Sequence, residues 1–146
     1  AVKGQKYKNE LLFLVDEDTN AFNKIIDGFR MPKSNETEIR LRNEAIENAT
    51  KYATEIPFKV METAYQSMEV MISMSKEGLQ NSLSDAGVGA LCARTAVIGA
   101  YFNVRINAKD IKDRAFAEKI LSDAKSVYQN AIIKEQEIIS FIDSKM

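Results

Sequence analysis

Histidine and tryptophan are absent from this chain of 146 residues, and cysteine occurs once. Without histidine, the chain alone can build no Ser-His-Asp triad, no histidine zinc site and no Glu-x-x-His di-iron bundle. Proton transfer falls to Asp, Glu, Lys, Tyr or water. A lone Cys92 excludes an internal disulfide. Its place among apolar neighbours in mid-helix is that of a small buried hydrophobe in a reducing compartment. Neither sign of charge is in excess, with 20 Lys and Arg against 21 Asp and Glu. No global field therefore draws the chain to nucleic acid or to an anionic membrane. No apolar run approaches the roughly 20 residues that cross a bilayer, and no signal-peptide pattern is present. No Gly-x-Gly-x-x-Gly or Walker sequence cradles a phosphate. These absences lead us to expect a cytoplasmic protein without a metal centre. The chain opens Ala1-Val2-Lys3 rather than on methionine, the opening expected of a trimmed product or an excerpt.

What is present is helical periodicity. The length fits one domain, residues 1–146, that buries roughly two thirds of its unfolded surface. A first helix is expected from about Tyr7 to Phe29, with Gly28 and Pro32 as its stop and an apolar face of Leu11, Leu14, Val15, Phe22, Ile25, Ile26 and Phe29. Asn35 with Glu38 resembles a capping box that opens a second helix reaching Ile56. Pro57 either kinks that helix or starts a third in the first-turn position, where its missing N–H costs nothing. The segment after it carries Val60, Met61, Ala64, Met68, Met71 and Met74 as core filling and ends near Gly78. Ser82-x-x-Asp85 resembles another cap, opening a helix that runs to about Asn107. A polar turn, Lys109 to Asp113, precedes a last helix from Arg114 to Ser144, with Ile120, Leu121, Ala124, Val127, Tyr128 and Ala131 inward. No strand alternation and no repeat is visible. The expectation is an all-α, up-and-down bundle of about five long helices.

The helix beginning near Ser84 is paved with small residues: Ala86, Gly87, Gly89, Ala90, Ala93, Ala96, Gly99 and Ala100. A glycine in a helix interior costs roughly 1 kcal/mol relative to alanine, so three of them ask for a packing or ligand reason. Asp85 and Asn103 lie about five turns apart on one face, separated by about 27 Å along the axis. Asn107 follows Asn103 at i+4 and adds a second amide to that stripe. The amides could cross-link helices or read a heterocycle's hydrogen-bonding edge. Lys33, Arg40, Arg42 and Lys51 together could hold a polyanion, but charge on a helix face is usually solvated. Arg105, Lys109 and Lys112 complement the negative end of the helix dipole.

One carboxylate departs from its helix. Asp18 falls between Leu14 and Phe22 and above Leu11, in the middle of the predicted apolar face, whereas Asp16 lies about 160° away on the polar side. A carboxylate in apolar surroundings has its pKa raised and is a candidate general acid or base. It could equally cap a neighbouring helix or pair with an inward lysine or arginine.

Together these residues resemble a known family. Leu14-Val15-Asp16-Glu17-Asp18 followed by Ala21-Phe22 is similar to the opening signature of the cyclodeaminase domain of formiminotransferase-cyclodeaminase. Stand-alone bacterial formiminotetrahydrofolate cyclodeaminases and methenyltetrahydrofolate cyclohydrolases share it. Pro32-Lys33, Ala49-Thr50-Lys51 through Ile56-Pro57, and Ser84-Asp85-Ala86-Gly87-Val88 continue the match. The block from Gly99 to Asn107 (GAYFNVRIN) is its most specific part. The family's domain usually opens with a helix preceded by Pro-Gly-Gly-Gly-Ser-Val-Ala, and no such sequence occurs here. The resemblance thus implies that the chain corresponds to roughly the latter two thirds of such a domain.

The resemblance implies a homodimer or higher homo-oligomer acting on a reduced folate, with or without a polyglutamate tail, as substrate, with no separate cofactor. The implied reaction, that of an ammonia-lyase, closes N10 onto the formimino carbon on N5, releases ammonia and leaves 5,10-methenyltetrahydrofolate, in histidine breakdown and one-carbon metabolism. Asp18 is the expected proton shuttle, with Asp16 of the same motif in reserve. Asp85, Asn103 and Asn107 are expected to orient the ring system, and Lys33 and Arg105 to meet the anionic tail. Methenyltetrahydrofolate cyclohydrolase is the nearest alternative. A non-catalytic helical domain for oligomerisation or docking is the alternative of another class. A carboxylate lining a cavity favours the enzyme; one neutralised in a dense contact favours the scaffold.

Overall fold

The computed structural model describes residues 2–146 and contains four long helices. They are α1 (Val2–Arg30), α2 (Glu36–Glu77), α3 (Leu83–Asn107) and α4 (Arg114–Asp143). Short 3₁₀ turns, Gln80–Ser82 and Ala108–Asp110, precede and follow α3. Each helix runs against its predecessor. Gly28 packs on Ile46 while Gly4 approaches Val70, Gly89 meets Met71 while Asn107 reaches Ala53, and Gly87 meets Ile142. The all-α, up-and-down expectation therefore holds. The count is four rather than about five, because the second and third predicted helices are one helix of 42 residues with Pro57 inside it.

A proline inside a helix leaves the carbonyl four residues earlier without its donor. Here that carbonyl belongs to Ala53, and the Asn107 side chain supplies the donor from α3, with Nδ2 at 2.8 Å from the oxygen. Continuation through Pro57 thus depends on a partner 54 residues away, which helical periodicity does not reveal.

The helix ends follow sequence chemistry in part. Asn35 accepts from the Glu38 N–H at 2.9 Å, and Glu38 accepts in return from the Ser34 N–H at 2.7 Å. The Gly78 N–H closes α2 on the Met74 carbonyl. The expected Ser82 cap is not formed: Ser82 belongs to the 3₁₀ turn, and its side chain makes no capping bond. The cap that does form beyond α3 is Asp113, which accepts from the Phe116 N–H at 3.1 Å.

The core lies between α2, α3 and α4. Met61 and Met68 pack there with Ala86, Ala90, Val97 and Val104 of α3 and Ile120, Ala124, Ala131 and Ile138 of α4. Small residues on the buried side of α3 bring the neighbouring backbones close, and larger side chains from α2 and α4 fill the remaining space. Gly87 sits under Ile142, and Gly89 would place a Cβ only 3.0 Å from the Met71 terminal methyl. Gly99 has nothing within 4 Å of such a Cβ. Packing therefore accounts for two of the three glycines.

Two expectations about faces are corrected. The buried line of α1 is Leu14, Ala21 and Gly28, a seven-residue spacing centred on small residues, and Gly28 lets α1 lie against Ile46 of α2. Val15, Phe22 and Phe29, placed on the inner face by periodicity, are 64%, 60% and 55% exposed. Cys92 is exposed as well, because α3 buries the neighbouring line Ala90, Ala93 and Val97. The segment Gln80–Asp110 is long and apolar enough by composition to cross a membrane, which the expectation of no spanning run did not anticipate. In the bundle, α3 instead buries one side against α2 and α4.

Candidate active site

Asp18 and Asn103 come from helices far apart in sequence and line the same cleft, about 450 Å³ in volume. Leu11, Leu14, Val15 and Thr19 join Asp18 from α1, while Ala96 and Ala100 join Asn103 from α3. Pro57 and Val60 of α2 complete the lining. The arrangement is an apolar slot with a carboxylate on one wall and an amide on the other, the usual make-up of a small-molecule site. The two small residues on α3 leave room beside Asn103, and Gly99 on the same helix faces open space.

Asp18 is exposed rather than desolvated within the apolar face. It lies about 40° around the helix from Leu14, at the border of the buried line. It lines a cleft and is not neutralised inside a contact. Asp16 is also exposed on α1 and does not line this cleft. Asn107, one turn beyond Asn103, is half-buried and gives its N–H to Ala53.

The other predicted residues lie elsewhere. Asp85 is in the first turn of α3, about 27 Å along the axis from Asn103. Lys33 is exposed in the connection between α1 and α2. The Arg105 guanidinium lies 5.6 Å from the centre of the Tyr101 ring, which stacks on Tyr128 of α4. Thus Asp18 and Asn103 line one slot, whereas Asp16, Asp85, Asn107, Lys33 and Arg105 do not line it.

A second polar group was not visible in the sequence pattern. The Tyr52 hydroxyl donates a hydrogen bond to Glu17, and Asn20 donates to the same carboxylate at 2.9 Å. These bonds, Tyr52 first, hold Glu17 below the usual carboxylate range. The bond to Glu17, followed by burial, pushes the Tyr52 phenol above its usual value. Lys24 rests 4.1 Å above the Tyr52 ring centre, and both residues line another cleft of about 450 Å³ with Asn48 and Gly28. Glu17 lies inside the recognised motif, but its partner is 35 residues away, and no local spacing links them. Sequence places Pro57 as a helix kink or a helix start, and within the family match, but not as a wall of the site.

The sequence description Formiminotransferase-cyclodeaminase matches residues 1–126. The chain belongs to this family. It is 28% identical over 144 residues to methenyltetrahydrofolate cyclohydrolase of Methylorubrum extorquens, covering 99% of this chain and 69% of that protein. It is 32% identical over 136 residues to formimidoyltransferase-cyclodeaminase of Rattus norvegicus, covering 93% of this chain and 25% of that protein. The crystal structure of formiminotetrahydrofolate cyclodeaminase from Thermotoga maritima superposes with a TM-score of 0.81 at 21% identity, over 96% of this chain and 66% of that one. At that identity the likeness speaks for the fold. The chain therefore spans about two thirds of the two bacterial proteins and a quarter of the rat protein.

Proposed function

We propose that this family member carries the Asp18–Asn103 half-site of a formiminotetrahydrofolate cyclodeaminase, an ammonia-lyase of one-carbon metabolism and histidine degradation. The observation that carries the reading is that Asp18 and Asn103 line one apolar slot, in a chain that belongs to the family. A pterin is flat, apolar on its faces and polar at its edge. Such a slot suits it, with Asn103 offering both a donor and an acceptor to the edge.

In this reading the N10 lone pair attacks the formiminium carbon on N5, and a carbon–nitrogen bond forms. Asp18, as carboxylate, takes the proton from N10. The same carboxyl group then gives that proton to the former imino nitrogen, the old carbon–nitrogen bond breaks, and ammonia leaves. The product is the 5,10-methenyl cation, so charge and protons balance. Asp16, two residues away in the same motif, is the reserve base. Asn107 supports the ring-orienting amide from one turn below. Lys33 and Arg105, outside the slot, suit only the anionic glutamate tail of a longer folate. Asp85 is too far along α3 to serve the same pocket and would act in a slot completed by a second subunit. The exposed apolar side chains Val15, Phe22, Phe102 and Ile106 support such a homodimer, in the cytoplasm.

The test follows 5-formiminotetrahydrofolate turnover optically through the methenyl product and, separately, through ammonia. Product with stoichiometric ammonia is the expected result. Binding of the folate without turnover, or no binding at all, would refute the reading and favour a non-catalytic helical domain. A second reading, methenyltetrahydrofolate cyclohydrolase, is favoured by the match to the Methylorubrum protein over nearly the whole of this chain. It predicts hydrolysis of the methenyl bridge with no ammonia balance.

A further inference from the structure

Two observations about α2 and α3 meet at one hydrogen bond. Pro57 deprives the Ala53 carbonyl of its helical donor, and that carbonyl is nonetheless satisfied, by Asn107 Nδ2 at 2.8 Å. Pro57 is buried and forms a wall of the slot. Asn103, which lines the same slot, stands one turn before Asn107 on the same helix. A buried carbonyl left without a donor is costly, so the bond is strongly favoured. It also limits how α3 can slide along α2, because a displacement of one helical turn, about 5.4 Å, carries the amide out of reach of that carbonyl.

We propose that Asn107 is a positioning residue of this site: its amide replaces the hydrogen bond that Pro57 removes, locks α3 in register against α2, and so holds Asn103 opposite Asp18 across the slot. Proline and asparagine act as one device. Proline exposes an acceptor at one place on α2, and asparagine finds it. Neither residue has to touch the ligand. Only the kinetic part of the proposal rests on the folate reading; the brace itself does not.

The test is a cycle of four otherwise intact proteins: the parent, Asn107→Ala, Pro57→Ala and the double variant. Pro57→Ala returns an N–H to the Ala53 carbonyl and makes the amide redundant. In the parent background, Asn107→Ala is expected to lower the urea midpoint, shift the side-chain amide resonances of Asn103, and raise KM for 5-formiminotetrahydrofolate about tenfold with kcat changed less than threefold. In the Pro57→Ala background the same substitution should change KM less than twofold and leave the Asn103 resonances in place. Asn107→Asp, which keeps the size but loses the donor, should behave as Asn107→Ala. Equal losses in both backgrounds would overturn the brace and make Asn107 a direct ligand contact. Full function in Asn107→Asp would overturn it as well. If the parent turns over no folate, the functional reading fails. The urea midpoints and the Asn103 resonances then decide the brace by themselves.

Discussion

Glu47 fastens the start of α4 to the first third of α2, and its removal should be felt throughout the bundle. Its carboxylate receives the Lys112 N–H at 3.0 Å and the Asp113 N–H at 3.0 Å. One turn along α2, Lys51 pairs with Asp113 at 2.8 Å, and Asp113 in turn caps α4. Hydrogen bonds to a charged group contribute about 1.5–3 kcal/mol each when protected, and less where water can replace the lost partner. Glu47 is only half-buried, so Glu47→Ala should cost about 2 kcal/mol in total rather than the sum of two protected bonds. For a chain of this size that corresponds to a fall in Tm of about 4–8 °C. Burial pushes the Glu47 pKa up, but the Asp113 and Lys112 backbone bonds and the nearby Lys51 and Lys112 charges outweigh it, and the net shift is downward. A carboxyl group with a lowered folded-state pKa stabilises fully above its unfolded value, about 4.3. That contribution disappears as pH falls through the folded value. Thermal unfolding followed by far-UV circular dichroism at pH 7 and at pH 3 is therefore the assay. Glu47→Ala should differ clearly from the parent at pH 7 and much less at pH 3. A Tm within 1 °C of the parent at pH 7 would refute the account, and so would a difference of equal size at both pH values.

Three further outcomes are expected. Asp18→Asn should keep the fold and lower turnover of 5-formiminotetrahydrofolate by about 10²–10⁴-fold, the usual contribution of a general acid–base group; full turnover would remove Asp18 from the shuttle role. Lys33→Ala should weaken binding of polyglutamylated folate but not of the monoglutamate, and equal affinity for the long form would discard its part in tail recognition. Met68 is fully buried in the main core, so Met68→Ala should destabilise by about 2–5 kcal/mol in urea unfolding; a loss below 1 kcal/mol would mean that the cavity collapses or that the site is loosely packed.

Sequence by itself determined the helical class, the order of the helices and most of their ends, because caps, glycines and apolar spacing act within a few residues of one another. Asn35 and Glu38, the glycine at position 78 and the methionine stripe of α2 all work locally, and all were legible. It also determined family membership, since the motifs around Asp18 and Asn103 survive in order. The outcome at Pro57 was not local. A proline in mid-helix is tolerated or not according to whether a remote group satisfies Ala53, and only the approach of α3 supplies Asn107. The inner face of α1 was misread for a related reason. Periodicity ranks residues by hydrophobicity, but a helix pressed closely on its neighbour buries its small residues, so Ala21 and Gly28 went inside while Phe22 and Phe29 stayed out. Cys92 followed the same rule on α3. Tertiary structure alone set Asp18 and Asn103 on one cleft and brought Glu17 to Tyr52, because each arrangement depends on how the helices slide past one another. That register is set by side chains many turns apart, and no short window of sequence contains it.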